Sequence, residues 1–84
     1  MSYAVYLKKS AEKELDHLPT EVYDRIIKQL ISLRENPRPH GMKKLHGQEG
    51  YRIRVGDYRI LYVIDEIGKK VEIVSVGHRK EVYR

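Results

Sequence analysis

Tyr51 to Ile64 reads YRIRVGDYRILYVI. Two alternating runs flank Gly56-Asp57, and Gly-Asp between such runs signals a β-hairpin with a two-residue loop. That loop sets Val55 opposite Tyr58, Arg54 opposite Arg59, Ile53 opposite Ile60, Arg52 opposite Leu61 and Tyr51 opposite Tyr62. Side chains alternate across a strand, so each face of the hairpin can be listed. One carries Tyr51, Ile53, Val55, Tyr58, Ile60 and Tyr62 and is the core face. The other carries Arg52, Arg54, Arg59, Leu61 and Val63. Like charges directly opposed on a sheet are destabilising. Arg54 facing Arg59, with Arg52 two residues along, therefore points to an anionic ligand lying on this face.

Working outward, the chain of 84 residues is expected to form a single domain, 1–84, with a modest core. It has no cysteine, which removes disulfides, thiolate metal sites and cysteine nucleophiles and fits a cytoplasmic protein. No secretory leader is expected, because Met1 to Lys9 lacks a long apolar run. The longest such run, Ile60 to Ile64, is far too short to span a membrane. The net charge of +5 is concentrated. Between Arg38 and Arg59 stand Arg38, Lys43, Lys44, Arg52, Arg54 and Arg59 against only Glu49 and Asp57. A local excess of that kind favours a polyanionic partner, above all nucleic acid.

Tyr3 to Leu7 alternates as a first strand. Ser10 is the expected cap of a short helix that ends at Leu18-Pro19, with Ala11, Leu15 and Leu18 on one face. Thr20 is the expected cap of a second helix, whose stripe is Val22, Tyr23, Ile26, Ile27, Leu30, Ile31 and Leu33. Asn36-Pro37-Arg38-Pro39 stops it. Pro39 to Gly50 reads as a loop anchored by Leu45. Its Lys43 and Lys44 either extend the basic face or are simply solvated. After the hairpin, Asp65 to Lys70 is a turn and Val71 to Val76 a last strand, ended by Gly77. The tail from His78 to Arg84 lies beside the strand ends and brings His78, Arg79 and Tyr83 toward the arginines. The expected architecture is α+β: an N-terminal strand, an αα-hairpin, then a three-stranded antiparallel meander. The helices cover the Ile53/Ile60 face, and the arginine face is left open and concave.

The four histidines show no paired ligand spacing, and no phosphate-binding glycine loop or serine triad context is present. What remains is a phosphodiester site that uses neither metal nor cofactor. Arginines hold and neutralise a phosphate through forked donors. Histidine moves protons near neutral pH, and tyrosine stacks on a base. With RNA the nucleophile is already in the substrate, the 2′-OH. The set Arg52, Arg54, Arg59, His78, Arg79 and Tyr83 would suffice to align that hydroxyl and stabilise the charged transition state.

GYRIRVGDYRILYVID, then VEIVSVGHRKEVY, with KKLHG before them, resembles the RelE/ParE superfamily of toxins, on the RelE side. The resemblance covers essentially the whole chain. It implies a toxin of a type II toxin–antitoxin system that cuts messenger RNA in the ribosomal A site by metal-independent 2′-OH attack. The implied partners are the ribosome, mRNA and an antitoxin from the same operon. By position it assigns catalytic roles to Arg54, Arg59, Arg79 and Tyr83 and a basic, substrate-binding place to Arg52; Lys43 and Lys44, read from the loop's charge, are expected to bind RNA or rRNA beside it. Some relatives have lysines where Arg52 and Arg54 stand. Arginine keeps its proton, so proton transfer moves to His78, with base or acid left open. The alternative within the superfamily is a ParE-like toxin that poisons DNA gyrase without cutting RNA.

Overall fold

The protein is described here by a computed structural model covering residues 2–78; Arg79 and Tyr83 lie outside the described residues. Strand β1 (Ala4–Leu7) leads into helices α1 (Lys9–Asp16) and α2 (Thr20–Ser32). Strands β2 (Lys43–Lys44), β3 (Tyr51–Val55), β4 (Tyr58–Asp65) and β5 (Lys70–His78) follow. They form a sheet in the order β1-β5-β4-β3-β2. The meander is antiparallel, and β1 joins it parallel to β5. A parallel neighbour needs a crossover connection, and here the two helices and the first half of the meander supply it.

The hairpin register is the one its loop length dictates, from Tyr51 opposite Tyr62 to Val55 opposite Tyr58. Gly56 has φ +61, and Asp57 is not in the left-handed region. Positive φ at the first central position alone is the II′ pattern, which glycine adopts without strain.

Four local expectations need correction. Ser10 lies inside α1, whose N-cap is Lys8, extended and without a side-chain cap. The helix starts early because β1 has already ended where the Lys8 amide donates to the Ile73 carbonyl, 3.0 Å away. Thr20 is the first residue of α2, after Pro19, whose ring fixes φ for that entry. Within the expected loop, Lys43 and Lys44 form a two-residue edge strand on β3. Finally, Gly77 does not end the last strand. β4 reaches back to Tyr58 and supplies partners as far as His78.

The register of β5 against β4 shifts between Leu61/Ser75 and Tyr62/Ile73, so Val74 is an extra residue. Strict alternation would set Val76 opposite in sense to Val71 and Ile73. The bulge restores it, and all three are buried. They pack with Ile53, Ile60 and Tyr62 against Ala11 and Leu15 of α1, Ile26 and Leu30 of α2, and Leu33. Each such aliphatic side chain, fully buried, contributes roughly 1.5–3 kcal/mol. Tyr62 is fully buried and donates its hydroxyl to the Pro37 carbonyl at 2.8 Å. Burial pushes its phenol up to about 12. Among the described residues no helix is long and apolar enough to cross a membrane.

Candidate nucleic-acid interface

With both helices on the Ile53/Ile60 side, the opposite face of the sheet carries the charge. Arg52 and Arg54 share it along β3, and Arg59 faces Arg54 from β4. Edge strand β2 adds Lys43, directly opposite Arg52. Facing residues point the same way, so four cations occupy one face. Arg54 and Lys43 are exposed and Arg52 is half-buried. Arg59 is only 5% exposed although it lies opposite the helices. Its neighbour on β5 is Gly77, which offers no side chain to displace the guanidinium.

Lys44 faces Tyr51 and so the other side of the sheet. The chain then turns back at Leu45, whose amide donates to Gly50 at 3.0 Å. Gly50 has φ +127, and a Cβ there would stand 3.0 Å from the Tyr62 carbonyl. Only glycine fits both demands. This closed loop leaves a concavity of about 380 Å³ at the edge of the cationic face, lined by Lys43, Lys44, Leu45, His46, Gln48 and Arg52. Besides the lysines singled out from the sequence, the loop residues His46 and Gln48 line it. The pairing of Lys43 with Arg52 sets them there, and no periodicity announces a two-residue strand.

His78 is placed differently from the expectation. It pairs with Tyr58, one step from the Gly77/Arg59 pair, and therefore points to the helix side. Its ring meets Tyr58 edge-on at 5.6 Å. The structure brings Arg52, Arg54, Arg59 and Lys43 together and leaves His78 across the sheet from them. A further cation sits on that other side: Arg25 of α2 reaches the hairpin tip, its Nη2 2.7 Å from where a Gly56 Cβ would lie.

Arg38, part of the basic stretch, is engaged elsewhere. It pairs with Glu66 and lies over the Tyr51 ring, 5.6 Å from its centre. Tyr3 donates to the same carboxylate at 2.8 Å. The Tyr3 hydrogen bond, then that from Arg38, holds the Glu66 carboxyl below the usual range. The Glu66 contact, then Tyr51, raises the Arg38 guanidinium further. This cluster ties the connection after α2 to the β4–β5 turn and leaves the open face to β2, β3 and β4.

Glu14 has a comparable fastening role. Among the described residues no strand lies beside the outer edge of β5 beyond Ile73, and α1 runs there instead. Glu14 accepts from the Val76 amide at 3.0 Å and from the Ser75 hydroxyl at 3.1 Å. Its charge-assisted bonds cover an edge that would otherwise offer a free amide.

The fold is thus a small α+β domain that shields one face of its sheet with helices and presents clustered cations on the other. Comparison with known proteins gives that class a family. The family model of the ParE toxin of the type II toxin–antitoxin system parDE matches residues 5–83. Toxin RelE of Mycobacterium tuberculosis is 31% identical over 98% of this chain and 87% of its own length. Among solved structures, the RelBE2 toxin–antitoxin complex of the same organism matches with a TM-score of 0.85 at 28% identity, covering 94% of this chain and 100% of that one. The archaeal RelE–RelB complex of Pyrococcus horikoshii gives 0.83 at 32% identity, covering 94% and 97%. The chain therefore belongs to the RelE/ParE superfamily of type II toxins, with RelE toxins among its relatives.

Proposed function

We propose that this toxin is a ribosome-dependent mRNA endonuclease of the RelE kind, acting by attack of a 2′-OH on the adjacent phosphorus without a metal. The observation that carries the reading is Arg54 facing Arg59 on the open side of the sheet. The exposed Arg54 guanidinium can hold a phosphate, and the buried Arg59 charge opposite it can help stabilise the extra negative charge of the transition state. Arg52 and Lys43 then hold the neighbouring backbone. Neither arginine can act as base. With His78 turned to the helix side, the described face contributes charge stabilisation and alignment. We assign the remaining work to Arg79 and Tyr83 and to the ribosome, which would set the 2′-OH in line. On this reading the protein does little to free RNA. Its activity would be held in check by an antitoxin from the same operon, and the solved toxin–antitoxin complexes of its relatives support that partner.

The test is induction of the chain in a heterologous bacterium, with mapping of messenger 5′ ends. New ends in phase with codons are expected, persisting in a purified ribosome assay that contains a chelator at a level that leaves ribosomes intact. Arg54→Ala with Arg59→Ala should abolish both the ends and the growth arrest. The matched family model is that of ParE, so the alternative is gyrase poisoning. Growth arrest with gyrase-linked DNA breaks and intact messenger would replace the nuclease reading with that one.

A further inference from the structure

The outer edge of β5 is held differently on the two sides of the Val74 bulge. As far as Ile73 the neighbour is β1, and the last bond there runs from the Lys8 amide to the Ile73 carbonyl at 3.0 Å. In a regular strand the next outward-facing groups would belong to Ser75, two residues on. The extra residue moves them to Val76. A side chain of α1 meets them. Glu14 accepts from the Val76 amide at 3.0 Å through Oε1, and the Ser75 hydroxyl donates to the same oxygen at 3.1 Å and to Oε2 at 3.5 Å. The helix that carries Glu14 is anchored by Ala11 and Leu15, both in the core, so the grip comes from a fixed support. The gripped residues lie beside the cationic site. Ser75 pairs with Leu61 and Gly77 with Arg59, which sets Ser75 one diagonal step from Arg59, about 7–8 Å. Val76 is followed directly by Gly77, the β5 neighbour of the buried Arg59.

We propose that Glu14 is a positioning residue for RNA cleavage: by gripping Ser75 and Val76 from α1 it fixes the end of β5 and, through Gly77, the place of the Arg59 guanidinium. It touches no substrate and acts through the strand alone. The inference rests on the nuclease reading and adds to it a residue of the helix layer, on the side of the sheet away from the cations. Misplacing a reacting group by about 1 Å can cost on the order of 100-fold in rate. Here β4 still holds the other edge of β5, so releasing one edge moves Arg59 by less, and a smaller loss is expected. What the grip requires is an acceptor at the right reach, not a charge. Glutamine has the same length and keeps one acceptor oxygen. Aspartate keeps the charge but is one methylene too short to reach β5 from the same backbone.

The experiment is single-turnover cleavage of messenger on purified ribosomes, with the intact chain titrated to saturation at a temperature where every variant is folded by circular dichroism. It reads the maximal rate and the half-saturating concentration separately. Glu14→Ala should lower the maximal rate about tenfold and leave the half-saturating concentration within about twofold of the parent. Glu14→Gln should return to within about threefold of the parent rate. Glu14→Asp should stay slow, and it carries the test should Glu14→Ala not fold. Tyr62→Phe, which loses a bond to Pro37 rather than one on β5, should cleave at the parent rate. Four results would each overturn the positioning role and leave the nuclease reading standing: parent rates in the alanine and aspartate variants, a loss confined to the half-saturating concentration, an equal loss in Tyr62→Phe, or no rescue by glutamine. A parent chain that leaves messenger on ribosomes uncut overturns both.

Discussion

Replacing Arg54 by threonine should make the protein more stable and less active at once. Arg54 faces Arg59 across β3 and β4, with Cβ atoms about 5 Å apart. If the guanidinium groups lay equally close, two unit charges would repel by roughly 0.8 kcal/mol in a fully aqueous dielectric and more where Arg59 is buried. Arg54 itself is exposed, which keeps the effective value near the aqueous end. Cross-strand pairs of this kind are worth about 0.2–1 kcal/mol. Threonine also suits an edge-proximal strand position. We therefore expect Arg54→Thr to raise stability by about 0.5–1 kcal/mol. For a domain of this size that is a shift of roughly 2–8 °C in thermal midpoint. The gain should shrink in 1 M salt, where exposed charges are screened. Codon-phased messenger cleavage should fall by two orders of magnitude or more, about 2.7 kcal/mol of transition-state stabilisation. The assay is paired: urea and thermal unfolding at low and high salt, and cleavage on purified ribosomes. A variant that is destabilised at low salt, or that still cleaves, would refute the claim that the arginine pair is held against its own repulsion for a ligand.

Tyr62→Phe should cost about 1–2 kcal/mol, read as a lowered urea midpoint, because the Pro37 carbonyl loses its buried donor. The phenol sits at about 12, above its unfolded value near 10. Its contribution is full below pH 10 and is lost as pH rises through 12, so the variant should show a flatter alkaline limb than the parent. Glu14→Ala should lower stability by about 1 kcal/mol and speed amide exchange at Val76, whereas Glu14→Gln keeps an acceptor and should recover most of it. Gly50→Ala combines a left-handed φ with a close backbone approach and should destabilise by about 1–3 kcal/mol in the same unfolding assay.

Most of the architecture was legible because one signal was unambiguous. Gly-Asp between alternating runs sets the loop length, the loop length sets the register, and the register assigns every side chain of β3 and β4 to a face. The helix stripes were equally clear, and Ile26, Leu30 and Leu33 lie in the core as their spacing requires. Three features could not be read locally. The parallel pairing of β1 with β5 depends on where the helices return the chain. The bulge at Val74 shows only against the partner strand, and a strict period of two assigns Val76 to the wrong face. The extension of β5 past Gly77 depends on β4 offering partners there, and it decides the side His78 takes. The cations were read correctly as a face because they belong to the hairpin. The proposed proton carrier was misplaced because it belongs to a strand whose end the sequence does not mark.

Fold and candidate site are one commitment in this chain. A slip of one residue in β3 against the sheet would turn Arg52 and Arg54 toward Ile26 and Leu30 and expose Ile53. Burying an unpaired guanidinium costs several kcal/mol, and exposing the isoleucine forfeits a further 1.5–3 kcal/mol or so. The positive charges therefore help specify the register from the outside while the aliphatic residues specify it from the inside. This reconciles a repulsive pair with a well-defined sheet: the repulsion between Arg54 and Arg59 is small beside the cost of any register that would separate them. A cluster that looks like a burden on stability is thus affordable, since the alternatives it forbids are far worse than the contact it imposes. The same logic explains why the cations lie on the strands of the hairpin rather than on the loops. Strands with a register enforced from both faces can hold several like charges at fixed spacing before any ligand arrives, as electrostatic stabilisation of a transition state requires.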